Sequence, residues 1–274
     1  MQINIKGELV SLEKPKVMGI LNLTPDSFYD GGFHQGEKQF LYQVEKMLLE
    51  GVSFIDIGAY SSRPDAQDVD ANEEKKRLIP VLKKIRNAFP DTSLSIDTFR
   101  SQVAEAALSE GADIINDISG GQLDDQMFSV VGKHGAPYIM MHMRGTPKTM
   151  QKMTDYKNLI VDIRHYFSER LRLANQAGIK DVILDPGFGF AKTRAQNFEL
   201  MQNLNLLDVF EQPILVGISR KSMVYKTLDS TPEKALNGTT ALHMFALMQK
   251  AQILRVHDVK EAVETIKLFN QLSS

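Results

Sequence analysis

A chain of 274 residues, 43% hydrophobic and 24% charged, is long enough to bury a substantial core and has an ordinary soluble, globular composition. The absence of cysteine excludes disulfides, thiolate metal sites and cysteine nucleophiles, and a formal net charge of −2 argues against nucleic-acid binding through bulk charge. No apolar run approaches about 18 residues and no basic start leads into an apolar stretch, so a cytoplasmic location is the default expectation.

Residues 3–12 alternate weakly around Gly7 and read as a small hairpin that closes one end of a core. The stretch 17–32, VMGILNLTPDSFYDGG, runs from a short apolar strand into a loop holding Asn22, Thr24, Asp26, Ser27 and Asp30, either a turn-rich connection or a functional one. Phe40, Leu41, Val44, Met47 and Leu48 recur at helical spacing, which predicts a helix over 39–50 ended by Gly51. EGVSFIDIG, EGADIINDIS and AGIKDVILDP each run from a helix-ending glycine into an apolar strand bearing a carboxylate, as one unit copied along the chain.

Eight strands are expected, at 17–22, 54–58, 94–97, 113–117, 138–142, 182–185, 214–218 and 253–257. Helical patterns follow at 72–88, 101–110, 125–133, 156–176, 195–204, 232–250 and 259–269. Thr231 before Pro232, and Asp258 with Glu261 three residues on, read as helix starts. Nearly continuous apolar strands point to a parallel sheet covered by helices. Eight such units in this length predict an α/β fold, a (β/α)8 TIM barrel. An open doubly wound sheet shares the alternation, but no G-x-G-x-x-G follows the first strand.

In a barrel the C-terminal strand ends meet at one face, so Asn22, Gly58, Asp97, Asn116, His142, Asp185, Ser219 with Arg220, and His257 are expected in one ring. Asp97, Asn116 and Asp185 supply two carboxylates and an amide, suited to the amino and ring N–H edge of a guanine-like or pterin-like heterocycle. A strand-end Asp can also cap the next helix, which is less plausible for Asp185 because Pro186, Gly187 and Gly189 intervene before Ala195. Lys221, in GISRKSM, could donate to a heterocycle carbonyl or steady an anion. Arg255 and His257, two apart, share one side of a strand, where they fit a phosphate or serve as core polar groups. The segment 59–74, with Arg63 and Pro64, reads as a mobile cover beside the first loop, and the Met-rich MHMRGTPKTMQ reads as packing.

Together LNLTPDSFYDGG, SSRPDA, SIDTFR, ADIINDISGG, MHMRGTP, DPGFGFAKT, GISRKSM and ILRVHDV, in this order over nearly the whole chain, resemble the motifs of the dihydropteroate synthases. The resemblance implies a single pterin-binding barrel domain over 1–274, with 1–14 a short hairpin-like extension. It implies a transferase of folate biosynthesis that joins 4-aminobenzoate to 6-hydroxymethyl-7,8-dihydropterin pyrophosphate, with Mg2+ as the pyrophosphate's counterion and a homodimer as the usual state. Carried over by motif, it places Asp97, Asn116, Asp185 and Lys221 around the pterin. Asn22, Arg255 and His257 fall at the pyrophosphate, Asn22 nearest the metal. Ser62, Arg63, Pro64, Phe190, Lys221 and Ser222 border the aminobenzoate, and Phe28 and Asp30 come from the first loop. Asp97, Lys221, Arg255 and His257 are the residues expected to carry catalysis.

The departures fall mainly in one place: AYSSRPDA stands where the family commonly has GESTRPGA, so Tyr60 replaces an acid, Ser62 a Thr and Asp65 a Gly. They bear on aminobenzoate affinity. Arg144, where Gln is common, lies further from the chemistry. A pterin-binding methyltransferase-type barrel would share Asp97, Asn116 and Asp185, but it has no reason to carry Arg255 with His257 or the TPDSF and SSRPDA loops. A non-catalytic pterin-binding module would be expected to have lost Lys221, Arg255 or the first loop's polar residues.

Overall fold

Short apolar runs alternating with amphipathic helices fold, in the computed structural model of the chain, into a ring of parallel strands jacketed by helices. The structure describes residues 1–23, 33–60 and 69–272, with the backbone alone for 33–38. A hairpin of β1 (Gln2–Ile5) and β2 (Glu8–Ser11) precedes the barrel, as the alternation around Gly7 predicts. The barrel then runs β3 (Lys16–Asn22), α1 (Phe33–Glu50), β4 (Phe54–Gly58), α2 (Ala71–Ala88), β5 (Ser93–Asp97), α3 (Ser101–Ser109), β6 (Ile114–Asp117) and α4 (Met127–His134). It continues with β7 (Tyr138–Met141), α5 (Leu159–Gln176), β8 (Val182–Asp185), α6 (Arg194–Gln202), β9 (Leu215–Val216), the one-turn α7 (Ser222–Tyr225), α8 (Leu236–Met248), β10 (Ile253–Val256) and α9 (Val259–Leu272).

The 8-stranded sheet has the order β8-β7-β6-β5-β4-β3-β10-β9, all parallel, and one further parallel bridge, Leu184↔Ile214, joins its two ends. The expected (β/α)8 barrel is therefore present. Most element bounds fall within a few residues of expectation. The 232–250 helix does not form as one piece: a 3-10 turn, Pro232–Lys234, precedes α8. Asp258, expected to cap α9, accepts from Arg220 Nε at 3.0 Å and from Nη2 at 2.5 Å.

Strand side chains alternate, and here the inward set changes character along the barrel axis. At the N-terminal end the inner layer is Met18, Phe54, Ile114, Ile139, Ile183, Leu215 and Ile253, sealed by Ile3, Ile5 and Leu12 of the hairpin. Two residues further along, five of these strands present Asp56, Asn116, Asp185, Gly217 and Arg255, with Ser95 of β5 beside them, while β3 and β7 continue with Ile20 and Met141. The outward set packs on the helices in one large cluster. Among the described residues, no helix is long and apolar enough to cross a membrane.

Candidate active site

Strand register brings the site together. Asn22 pairs with Gly58, Gly58 with Asp97, and Asp97 with Asn116, so four of the expected ring residues stand in one row at the C-terminal mouth. Asp185 ends β8 opposite Met141 of β7. The floor beneath them is an ionic network that the sequence did not suggest. Arg255 reaches across the barrel and donates from Nε to Asp56 Oδ2 at 2.6 Å and from Nη2 to Asp97 Oδ2 at 2.7 Å. Asp56, wholly buried, also accepts from Ser95 Oγ at 2.6 Å and from Asn116 Nδ2 at 2.9 Å. Arg255, expected at a phosphate or among core polar groups, is thus held by two carboxylates of the barrel itself. Asp56 sits two residues before Gly58 in FIDIG, so counting back by two from the strand end is the signal that would have found it.

The network leaves acceptors facing the mouth. Asp97 Oδ1, Asn116 Oδ1 and Asp185 Oδ2 have no hydrogen-bond donor among the described residues, and none is sealed away from the cavity. Asp185 Oδ1 accepts from Gly187 N at 2.8 Å, which fixes the carboxylate's plane. Burial raises Asp185 above the ordinary carboxylate range, opposed by Lys221 and Arg255. Burial pushes Asp97 up to about 7, opposed by Arg255 and reinforced by Asp56 and Glu74. Gly217 lies beside these groups: a Cβ there would stand 3.9 Å from Lys221 Nζ and 4.0 Å from both Asp185 Oδ2 and Arg255 Cβ.

Lys221 closes one side. Its Nζ donates to Phe188 O at 2.6 Å and lies 4.7 Å from the Phe190 ring centre. Burial lowers it to about 8, against the pull of Asp185 and Asp97. Ser222 is exposed at the first turn of α7 beside it. His257 is exposed at the rim, and Ser219 Oγ accepts from its backbone N at 3.2 Å while facing its Nδ1 at 3.1 Å. With the Ser hydroxyl proton turned to Nδ1, the ring proton sits on Nε2 and points outward as a donor. Desolvation and the nearby cations Arg255, Arg220 and Lys221 hold His257 below its ordinary value.

Two expected ring members stand elsewhere. His142 falls on the outward phase of β7 and is 1% exposed, its Nδ1 3.0 Å from Lys192 Nζ behind the segment that follows β8. Arg220 turns away from the mouth to Asp258. Met141, Met143 and Met150 pack with Ile118 and Ala191, so the Met-rich segment is core, as expected. Arg144 stacks on Tyr156 at 3.8 Å and pairs with Asp162 at 3.1 Å. Phe28, Asp30, Ser62, Arg63, Pro64 and Asp65 lie outside the described residues.

No group of three or more His, Asp or Glu that could hold a metal occurs among the described residues. Asn22 Oδ1 and Asp97 Oδ2 stand 3.6 and 3.8 Å from where a Cβ on Gly58 would be, a neutral amide oxygen beside a carboxylate oxygen that Arg255 already holds. That set suits a hard ion that keeps most of its waters and arrives with a phosphate, rather than one caged by protein.

Residues 18–257 match the family described as pterin binding enzyme. The chain is 44% identical over 259 residues to a dihydropteroate synthase of Synechocystis, covering 93% of this chain and 89% of that protein. Among solved structures it resembles a Yersinia pestis dihydropteroate synthase with a sulfonamide drug complex, at a TM-score of 0.92 and 41% identity, covering 100% of this chain and 99% of the other. It also resembles a Xanthomonas albilineans dihydropteroate synthase with 4-aminobenzoic acid, at a TM-score of 0.91 and 33% identity, covering 100% of this chain and 98% of the other.

Proposed function

The chain belongs to the dihydropteroate synthase family of pterin-binding enzymes, and from that we infer how its residues join 4-aminobenzoate to 6-hydroxymethyl-7,8-dihydropterin pyrophosphate. The observation that carries the reading is the set of acceptors open at the mouth, Asp97 Oδ1, Asn116 Oδ1 and Asp185 Oδ2, above a floor in which Arg255 bridges Asp56 and Asp97. They suit the N–H edge of a pterin, with Lys221 placed for its carbonyl. Phe190, and Ser222 at the rim, border the space for 4-aminobenzoate, and Ser62, Arg63 and Pro64 with Phe28 and Asp30 complete it by the family pattern.

The carbon–oxygen bond to pyrophosphate breaks with its electron pair going to the leaving group, and the conjugated pterin spreads the positive charge left on the methylene. The amine nitrogen of 4-aminobenzoate then bonds to that carbon and gives up a proton to solvent. No strong base is required, so the protein's work is positioning and charge stabilisation. His257 donates from Nε2 to the departing oxygens, and Arg255, with Nε and Nη2 committed to Asp56 and Asp97, keeps Nη1 for the same task. Mg2+ bound with the pyrophosphate, next to Asn22, would supply further neutralisation.

The remaining parts of the reading are a single working domain over 1–274, a cytoplasmic location and a homodimer. For the homodimer, α8 leaves Phe245 and Met248 exposed and α9 leaves Leu268 and Leu272, an apolar face that a second copy would cover. Sedimentation of the intact chain checks that last part. The reaction itself is tested by following pyrophosphate release with and without 4-aminobenzoate and identifying dihydropteroate by mass. Pyrophosphate release that ignores 4-aminobenzoate, with no dihydropteroate formed, would overturn the reading.

A further inference from the structure

Three residues beyond Asp97, Arg100 occupies a position that no part of the pterin site explains. Its Nη1 bonds to Glu74, a wholly buried carboxylate in the first turn of α2, and its Nη2 donates to Val69 O at 2.6 Å. The guanidinium carbon lies 4.5 Å from the Phe99 ring centre and 5.0 Å from that of Tyr60, and those two rings meet edge to face at 5.2 Å. Tyr60 and Val69 are the described residues flanking 61–68. One guanidinium therefore touches both stems of the connection between β4 and α2 and fastens them to the turn that starts at Asp97.

We propose that Arg100 is a positioning residue that holds the stems of the 59–70 connection against the Asp97 turn, and so sets affinity for the arylamine substrate while sparing the pterin site. This rests on the reading above, in which Ser62, Arg63 and Pro64 border 4-aminobenzoate. The geometry needs Arg: a planar group can stack on an aromatic ring while its edge bonds a carboxylate and a carbonyl, and an ammonium cannot do all three. It also gives a reason for Tyr60 in place of the family's common acid. A carboxylate there would meet Arg100 by charge, and the ring meets it by its π face, so the fastening is kept with different chemistry.

Steady-state kinetics of Arg100→Lys, Tyr60→Leu and Tyr60→Glu test this. The first two should raise KM for 4-aminobenzoate about tenfold, with KM for the pterin pyrophosphate changed less than about twofold. Tyr60→Glu should stay close to the unaltered chain in both. Arg100→Lys keeps a cation for Glu74, and Tyr60→Leu leaves that pair untouched, so a folding failure of one does not remove the other. Hydrogen exchange of peptides spanning 59–70 gives a readout independent of turnover and should be about tenfold faster in the first two variants. Equal rises in both KM values, no rise in either, unchanged exchange, or Tyr60→Glu behaving like Tyr60→Leu would overturn the proposal. An unaltered chain that makes no dihydropteroate would overturn the functional reading instead, and the exchange comparison would still decide the role of Arg100.

Discussion

Asp185 is held on one side and open on the other, since Oδ1 accepts from Gly187 N while Oδ2 faces the mouth. In Asp185→Asn the oxygen can keep the Gly187 bond, which leaves an NH2 group facing a ligand N–H. The mismatch should weaken pterin binding by about 2 to 4 kcal/mol, measured by calorimetry, and an unchanged affinity would remove Asp185 from the pterin site. Asp97 carries a pH signature. Pushed up to about 7 by burial, it is largely protonated in the free protein below that value, and a ligand offering N–H groups selects the ionised form. Affinity should therefore rise as pH rises through about 7, with a proton released on binding below it. Calorimetry near pH 6.5 in two buffers of unlike ionisation enthalpy checks this, and Asp97→Asn should abolish the difference between buffers. The residues legible in the sequence were those at strand ends. Asp56 and Ser95 were not, because a polar residue inside an apolar run shows its purpose only once Arg255 is seen to cross 199 residues of chain to reach it.

The segment between β8 and α6 shows how one element can be built by a side chain outside the reacting groups. Gly187, Gly189 and Ala191 all take positive φ, at 72°, 81° and 48°, and a Cβ on Gly187 would stand 2.1 Å from His142 O. Only glycine fits that approach, and Ala191 is strained. Lys192 holds the result in place, donating to Gly187 O at 3.0 Å and Phe190 O at 3.1 Å and meeting His142 Nδ1 at 3.0 Å. Burial lowers it to about 7, against the pull of Asp185. Because Phe188 O in turn holds Lys221, Lys192→Met should loosen Phe190 and Lys221 together. It is expected to cost about 1 to 3 kcal/mol of stability and to raise KM for both substrates. Thermal denaturation and steady-state kinetics check it, and a folded variant with both KM values unchanged would show that the segment holds itself. DPGFGFAKT was readable as a motif, but Lys192 had no visible role in it, since its partners are carbonyls brought to one point by turns that no spacing rule describes.

At the scale of the molecule, chemistry and stability sit at opposite ends of one axis. The hairpin packs Ile3, Ile5 and Leu12 under the apolar inner layer, and the charged layer lies above it. Leu12→Ala should therefore cost about 2 to 5 kcal/mol of stability and leave both KM values unchanged, as denaturant melts and kinetics on the folded variant would show. The strands were legible because every one is apolar and ends abruptly in polar or glycine residues. The exception is instructive: the run 214–218 reads as a full strand, yet only Leu215–Val216 pair in the sheet. Sequence shows how apolar a segment is, not whether its neighbour stands close enough to bond. At this place the neighbour is β8, met only through Leu184↔Ile214. A hoop fastened at one point parts at that point first. Asp185 stands on one side of the join and Gly217 and Lys221 on the other, so a pterin bound between them, as proposed, would stand in for the missing rungs of the ladder. Ligand should then slow amide exchange in 182–185 and 214–218 more than in any other strand pair, and the substrate completes the wall that encloses it.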